Sequence, residues 1–192
     1  MKAGLLFGSF NPVHNGHLKL AEHILKEMSL DQIWFVVSPS SPFKQDATLL
    51  PAEDRITMLR QALKDLPSFR LCDVELGMPR PSYTIDTMKV LTGKFPDYQF
   101  FLIMGSDNLE HFDKWKGFDQ LREQWPVIVY ERPGHPLVKW KGLELHSANG
   151  VRMELSSTRI RSKVKAGEPI DDLVPKAVAD LILNGGYYKK EG

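Results

Sequence analysis

With 42% hydrophobic and 26% charged residues among 192, the chain has the make-up of a soluble protein able to bury one substantial core, which excludes disordered and fibrous classes. Its 25 Lys and Arg stand against 24 Asp and Glu, so no general cationic field draws nucleic acid or an acidic membrane surface, and any bound anion has to be gripped locally. The single cysteine, Cys72, excludes an internal disulfide or cysteine metal cluster, and no stretch approaches the ~20 apolar residues of a membrane helix, so a reducing, cytoplasmic setting is expected.

In chain order, short β-branched or aromatic runs predict buried strands at 3–7, 32–37, 69–74, 100–104 and 127–130. Between them, a stripe of Leu18, Ala21, Ile24, Leu25 and Met28 predicts a helix over 18–28. Ile56, Leu59, Leu63 and Leu66 predict another over 52–66, with Pro51 at its first turn. Helices are also expected at 84–91 and 173–183, and a helix start near Ser156 and Ser157. Residues 39–50, 77–82 and 132–142 read as loops, 133–150 carries no assignment, and 187–192 is expected to be a mobile tail. Strands alternating with helices imply parallel pairing through right-handed crossovers. The expectation is an α/β chain of one domain over 1–192, a doubly wound Rossmann-like parallel sheet with helices on both faces. Ligands of such sheets bind beyond the carboxyl ends of the strands, where strand order reverses.

The loop after the first strand, Gly8-Ser9-Phe10-Asn11-Pro12-Val13-His14-Asn15-Gly16-His17-Leu18, carries the most chemistry. Its amides and the helix N-terminus it opens face the place where phosphates bind. His14 and His17 share one helix face at a spacing of three. Neither a Gly-x-Gly-x-x-Gly fingerprint nor a P-loop is present. The plainer alternative makes His14 a helix cap or polar filler and packs His17 beneath the loop. The loop resembles the His-x-Gly-His signature of the nucleotidyltransferase superfamily. That superfamily includes cytidylyltransferases, pantetheine-phosphate adenylyltransferase and the nicotinate or nicotinamide mononucleotide adenylyltransferases.

Far along the chain, Glu154-Leu155-Ser156-Ser157-Thr158-Arg159-Ile160-Arg161-Ser162 resembles the second signature of that superfamily, two hydroxyl residues at a helix start followed by a basic residue. Arg80-Pro81-Ser82-Tyr83-Thr84-Ile85-Asp86-Thr87-Met88 is similar to the Ser-Tyr-Thr-x-Asp-Thr segment of bacterial nicotinate mononucleotide adenylyltransferases. Gly105-Ser106-Asp107 after the fourth strand resembles their Gly-x-Asp, with Trp115-Lys116 just beyond. One departure stands out: Pro42-Phe43-Lys44 occupies the place of the family's Pro-His-Lys, and Phe43 cannot donate a histidine's hydrogen bond.

The resemblance implies transfer of AMP from ATP to nicotinate mononucleotide, giving nicotinate adenine dinucleotide and pyrophosphate. It makes His14, His17, Lys44 and Arg161 the catalytic set. ATP would be held by Gly8, Ser9, Phe10, His14, Gly16, His17, Gly105, Asp107, Ser156, Ser157, Thr158 and Arg161. The acceptor would meet Asn11, Lys44, Tyr83, Thr84, Asp107, Trp115 and Lys116, with the indole stacked on the pyridine and backbone amides holding its carboxylate. Mg2+ is expected to ride on the ATP phosphates with no dedicated protein ligands. The expected partners are these two small molecules, not nucleic acid or membrane, and self-association is left open. The competing readings are an acceptor of nicotinamide mononucleotide or phosphopantetheine, or a non-catalytic nucleotide sensor.

Overall fold

Six strands form one parallel sheet in the order β3-β2-β1-β4-β5-β6 in the computed structural model, which describes residues 1–39, 48–148 and 155–189. They are β1 (Lys2–Gly8), β2 (Gln32–Val37), β3 (Phe69–Cys72), β4 (Gln99–Gly105), β5 (Val127–Tyr130) and β6 (Leu145–Ala148). The helices are α1 (Asn15–Glu27), α2 (Ala52–Leu63), α3 (Thr84–Lys94), α4 (Ser106–Leu109), α5 (Phe118–Gln124), α6 (Ser157–Ala166) and α7 (Lys176–Asn184). No helix among the described residues is long and apolar enough to cross a membrane.

The period of two along each strand divides the core. Ile33, Phe35 and Val37 of β2, with Leu6, Phe101, Ile103 and Ile128, face the apolar sides of α1, α2, α6 and α7. Trp34 and Val36, with Ala3, Leu5, Leu102, Met104 and Val129, face α3 and α5 on the other side. Each fully buried side chain of this size contributes roughly 1.5–3 kcal/mol relative to exposure, so both faces must be covered.

The differences from the expected elements have local causes. The third strand stops at Cys72, where the chain turns through Asp73 into a 3-10 turn at Val74–Gly77. The first helix starts at Asn15, earlier than its apolar stripe, because His14 caps it. The helix expected over 52–66 ends at Leu63, and α7 begins after Pro175 rather than at 173. In the unassigned stretch, Leu145-His146-Ser147-Ala148 forms the edge strand β6, whose one fully buried residue, Ala148, leaves almost no hydrophobic alternation. The short α4 and α5 were not anticipated; α5 buries only Leu121.

The strand order reverses between β1 and β4, which pair directly from Lys2↔Gln99 to Leu6↔Ile103. From β1 the chain winds outward to β2 and β3, and from β4 to β5 and β6. The loops leaving Gly8 and Gly105 therefore diverge from neighbouring strand ends and open a crevice between them.

Candidate active site

His14 is the N-cap of α1, and His17 occupies the third helical position. The His17 amide donates to His14 Nδ1 at 3.3 Å, and the His14 amide donates to His17 Nδ1 at 3.3 Å. An imidazole that accepts at Nδ1 carries its proton on Nε2 when neutral. This reciprocal cap therefore sets both rings in one tautomer and leaves each with an Nε2–H donor. The rings stack at 3.6 Å, and His17 also meets the edge of the buried Phe10 ring at 5.1 Å. A Cβ at Gly16 would crowd the stack, lying 3.0 Å from His14 Nδ1 and 3.3 Å from Leu155 Cβ, so the neighbours would have to give by a few tenths of an ångström. Capping uses Nδ1 of each ring and leaves Nε2 for another partner.

Both rings are held neutral. Burial, then the Arg132 charge, lowers the His14 pKa to about 4. Burial, then His14, then Arg132 keeps His17 well below the ordinary value of 6.5. A lowered histidine pKa means that the unfolded chain binds protons more readily between about pH 4 and pH 6.5, so stability falls as pH drops through that window and is flat above it. His14, 1% exposed, should account for about 2 kcal/mol of lost stability between pH 7.5 and pH 5. Urea unfolding at the two pH values checks this: His14→Gln should flatten the dependence, and an unchanged slope would exclude the residue as its source.

The second signature meets the first although 145 residues separate them: Ser157 Oγ donates to the Pro12 carbonyl at 2.9 Å. Ser156 caps α6 by accepting from the Arg159 amide. Arg161 donates to the Asn11 carbonyl at 3.0 Å and to Thr158 Oγ1 at 3.4 Å. The N-termini of α1 and α6 thus sit together beside the crevice at the end of β1. Asn11 itself is buried, with Nδ2 donating to Thr48 O and Oδ1 accepting from the Leu50 amide. Phe10 is 1% exposed, so its ring is part of the floor beneath His17. Lys44 and Phe43 lie outside the described residues, as does Glu154.

Two arginines were missed by the reading of the sequence. Arg132, just beyond β5, lowers both histidine pKa values and places its Nε 3.7 Å from Asp107 Oδ1. Among the described residues both of these atoms are buried without a hydrogen bond, so they face each other as an ion pair just beyond hydrogen-bond distance. The available signal was position, immediately after a strand on the carboxyl edge. Arg55, fully buried, donates to the carbonyls of Ser9 (2.6 Å), Ser38 (2.9 Å), Pro39 (3.0 Å) and Leu50 (3.0 Å). Its clue was a charge four residues before Leu59 on the apolar stripe of α2.

Across the crevice, Tyr83 precedes α3 and provides no side-chain cap, so the helix start is uncapped by any side chain. The Lys116 ammonium lies 4.3 Å above the Tyr83 ring and 2.8 Å from Asp86 Oδ2. Trp115 is partly buried, edge-on to Phe112 at 5.3 Å. Gly117, at φ 72°, lets this segment press against α3, where a Cβ would come within 2.8 Å of Ile85. Beneath, the buried Glu75 carboxylate accepts from Thr87 Oγ1 at 2.8 Å and Ser82 Oγ at 3.1 Å. The hydroxyls of Ser82 and Thr87 therefore shape the loop, while Tyr83 and Thr84 are half-buried and the Tyr83 ring also packs on the core.

A sequence profile of the cytidylyltransferase-like family matches residues 5–163, a span running from β1 into α6 that includes both helix starts. With its histidine pair at the β1–α1 turn of a parallel sheet, the chain falls in that class of nucleotidyltransferase fold. A protein of Cytophaga hutchinsonii named "Probable nicotinate-nucleotide adenylyltransferase" is 42% identical over 98% of each chain. A Bacteroides fragilis protein of the same name is 39% identical over 95% of this chain and 91% of its own. The chain belongs to the nicotinate-nucleotide adenylyltransferase family. The fold also matches Plasmodium falciparum nicotinic acid mononucleotide adenylyltransferase complexed with NaAD, at TM-score 0.78 and 18% identity over 97% of both chains.

Proposed function

We propose that the protein transfers AMP from ATP to nicotinate mononucleotide, releasing pyrophosphate and forming nicotinate adenine dinucleotide, as a cytoplasmic step of NAD biosynthesis. The observation that carries this reading is the pair of Nε2–H donors held at the β1 end beside the α6 N-terminus, with Tyr83, Lys116 and Trp115 grouped beyond β4. Family membership supports it.

An oxygen of the mononucleotide phosphate attacks the α-phosphorus in line. The new O–P bond forms as the bond to the pyrophosphate oxygen breaks. A phosphate monoester has its second pKa near ~6, so the attacking oxygen is largely ionised and no general base is needed. The barrier is repulsion between two anions. A unit charge about 4 Å from a phosphate oxygen contributes roughly 4 kcal/mol at an effective dielectric near 20, so several donors must act together. His14 and His17 would donate to the transferring phosphate, and Arg132 and Arg161 would contribute charge nearby, with Lys44 joining them.

Magnesium fits as a companion of the triphosphate. Among the described residues no group of three or more His, Cys, Asp or Glu could hold a metal ion, whereas phosphate oxygens and water satisfy its octahedral demand. Bound there, the ion would neutralise phosphate charge.

The uncapped α3 start favours an acceptor ring bearing a carboxylate over one bearing a neutral amide. Pyrophosphate release with ATP and nicotinate mononucleotide, nicotinamide mononucleotide or phosphopantetheine tests the reading. The acid should be preferred at least ~10-fold in kcat/KM, a difference of about 1.4 kcal/mol. Trp115→Ala should raise KM for the acceptor roughly 10-fold and leave that for ATP unchanged, because an aromatic stacking face is lost on one substrate only. Activity with none of the three acceptors would reject the proposal.

A further inference from the structure

Near the end of the described chain, Tyr187 and Tyr188 reach back to two different segments, in the stretch read from sequence as mobile. Gly186 at φ 65° and Tyr188 at φ 62° turn the segment after α7. Tyr187 Oη donates to Asp54 at 2.8 Å, and Tyr188 Oη donates to Asn11 Oδ1 at 2.8 Å, across 177 residues. We infer that Tyr188 is a positioning residue for adenylyl transfer: its hydroxyl holds Asn11, and through Asn11 the loop that carries the histidine pair. This inference rests on the function proposed above.

Asn11 is the junction. Its carbonyl accepts from Arg161, its Nδ2 donates to Thr48 O, and its Oδ1 takes both the Leu50 amide and Tyr188. The side chain cannot turn toward another ligand without breaking these bonds. Only Pro12 and Val13 separate it from His14. Burial pushes the Tyr188 phenol well above its ordinary pKa, against the opposing charges of Arg161 and Arg55, so the group remains a neutral donor. Removing the hydroxyl leaves the ring in place and frees one acceptor on a side chain that is 1% exposed.

The test compares Tyr188→Phe with Tyr187→Phe in the full chain. Each loses one hydroxyl hydrogen bond from the same segment, but only Tyr188 touches the loop. For Tyr188→Phe, kcat should fall about 5- to 10-fold with both KM values within about 2-fold, the size expected for one buried hydrogen bond acting on the transition state. Amide hydrogen exchange at residues 9–13 should quicken in Tyr188→Phe, while Tyr187→Phe changes neither readout. Equal losses in both variants, tracking their melting temperatures, would reduce Tyr188 to a structural anchor and overturn the inference. Wild-type kcat and exchange in Tyr188→Phe would overturn it as well. If the wild-type chain transfers no AMP, the functional proposal fails, and the exchange comparison still decides whether Tyr188 orders the loop.

Discussion

His17→Ala should lower kcat by about 10²- to 10³-fold while KM for ATP changes by less than about 3-fold, the pattern left when a donor acting mainly in the transition state is lost. The reasoning starts from the reciprocal cap. With Nδ1 accepting the His14 amide, the His17 proton sits on Nε2, and the stacked His14 ring together with Phe10 prevents the imidazole from swinging away. Such a donor is oriented before substrate arrives, so its effect is greatest where negative charge grows on the transferring phosphate. The substitution also removes one cap bond, which should lower stability by only ~1 kcal/mol. Steady-state kinetics and urea unfolding on the same variant separate the two effects. Near-normal turnover would show that the imidazole is a cap and nothing more.

For stability the larger effect belongs to Arg55. Arg55→Met keeps most of the volume and removes a guanidinium that bridges the loop after β1, through Ser9, to the loop after β2, through Ser38 and Pro39, and to the approach to α2, through Leu50. Four carbonyl oxygens lose their donor in a place water barely reaches, because the side chain is 0% exposed. Breaking a buried charged network from one side typically costs roughly 3–5 kcal/mol, a large part of the 5–15 kcal/mol that holds a domain together. A fall of that size in unfolding free energy is expected, with activity reduced as the Ser9 end of the loop loosens. A loss below ~1 kcal/mol would mean that the carbonyls find other donors. Arg55→Lys should fall between, since an ammonium has three donors and cannot span the same fork.

Several features could be read directly from residue order because they are local. The strands at 32–37 and 127–130 were anticipated with the bounds they have, since their unbroken β-branched and aromatic runs suit strands buried on both faces. The His14-Asn15-Gly16-His17 turn was equally legible: helix caps, a three-residue spacing and a small residue between rings are all properties of neighbours. By contrast, β6 was invisible. It is defined by its pairing to β5, and an edge strand with one fully buried residue imprints no alternation on the sequence.

Arg132, Arg55 and Glu75 show the other limit. Each takes its role from atoms that its immediate neighbours do not supply: Asp107 and the histidines for Arg132, four carbonyls from two loops and a helix approach for Arg55, and Ser82 and Thr87 for Glu75. The His14–His17 turn, the parallel α/β architecture and the family resemblance were already written in the order of residues, because backbone preference and hydrophobic period act over a few positions. The tautomers of His14 and His17, the buried guanidinium under the loops and the grip of Tyr188 on Asn11 emerged only on folding. Hydrogen bonds and burial depend on which atoms meet in space, and here they join groups up to 177 residues apart.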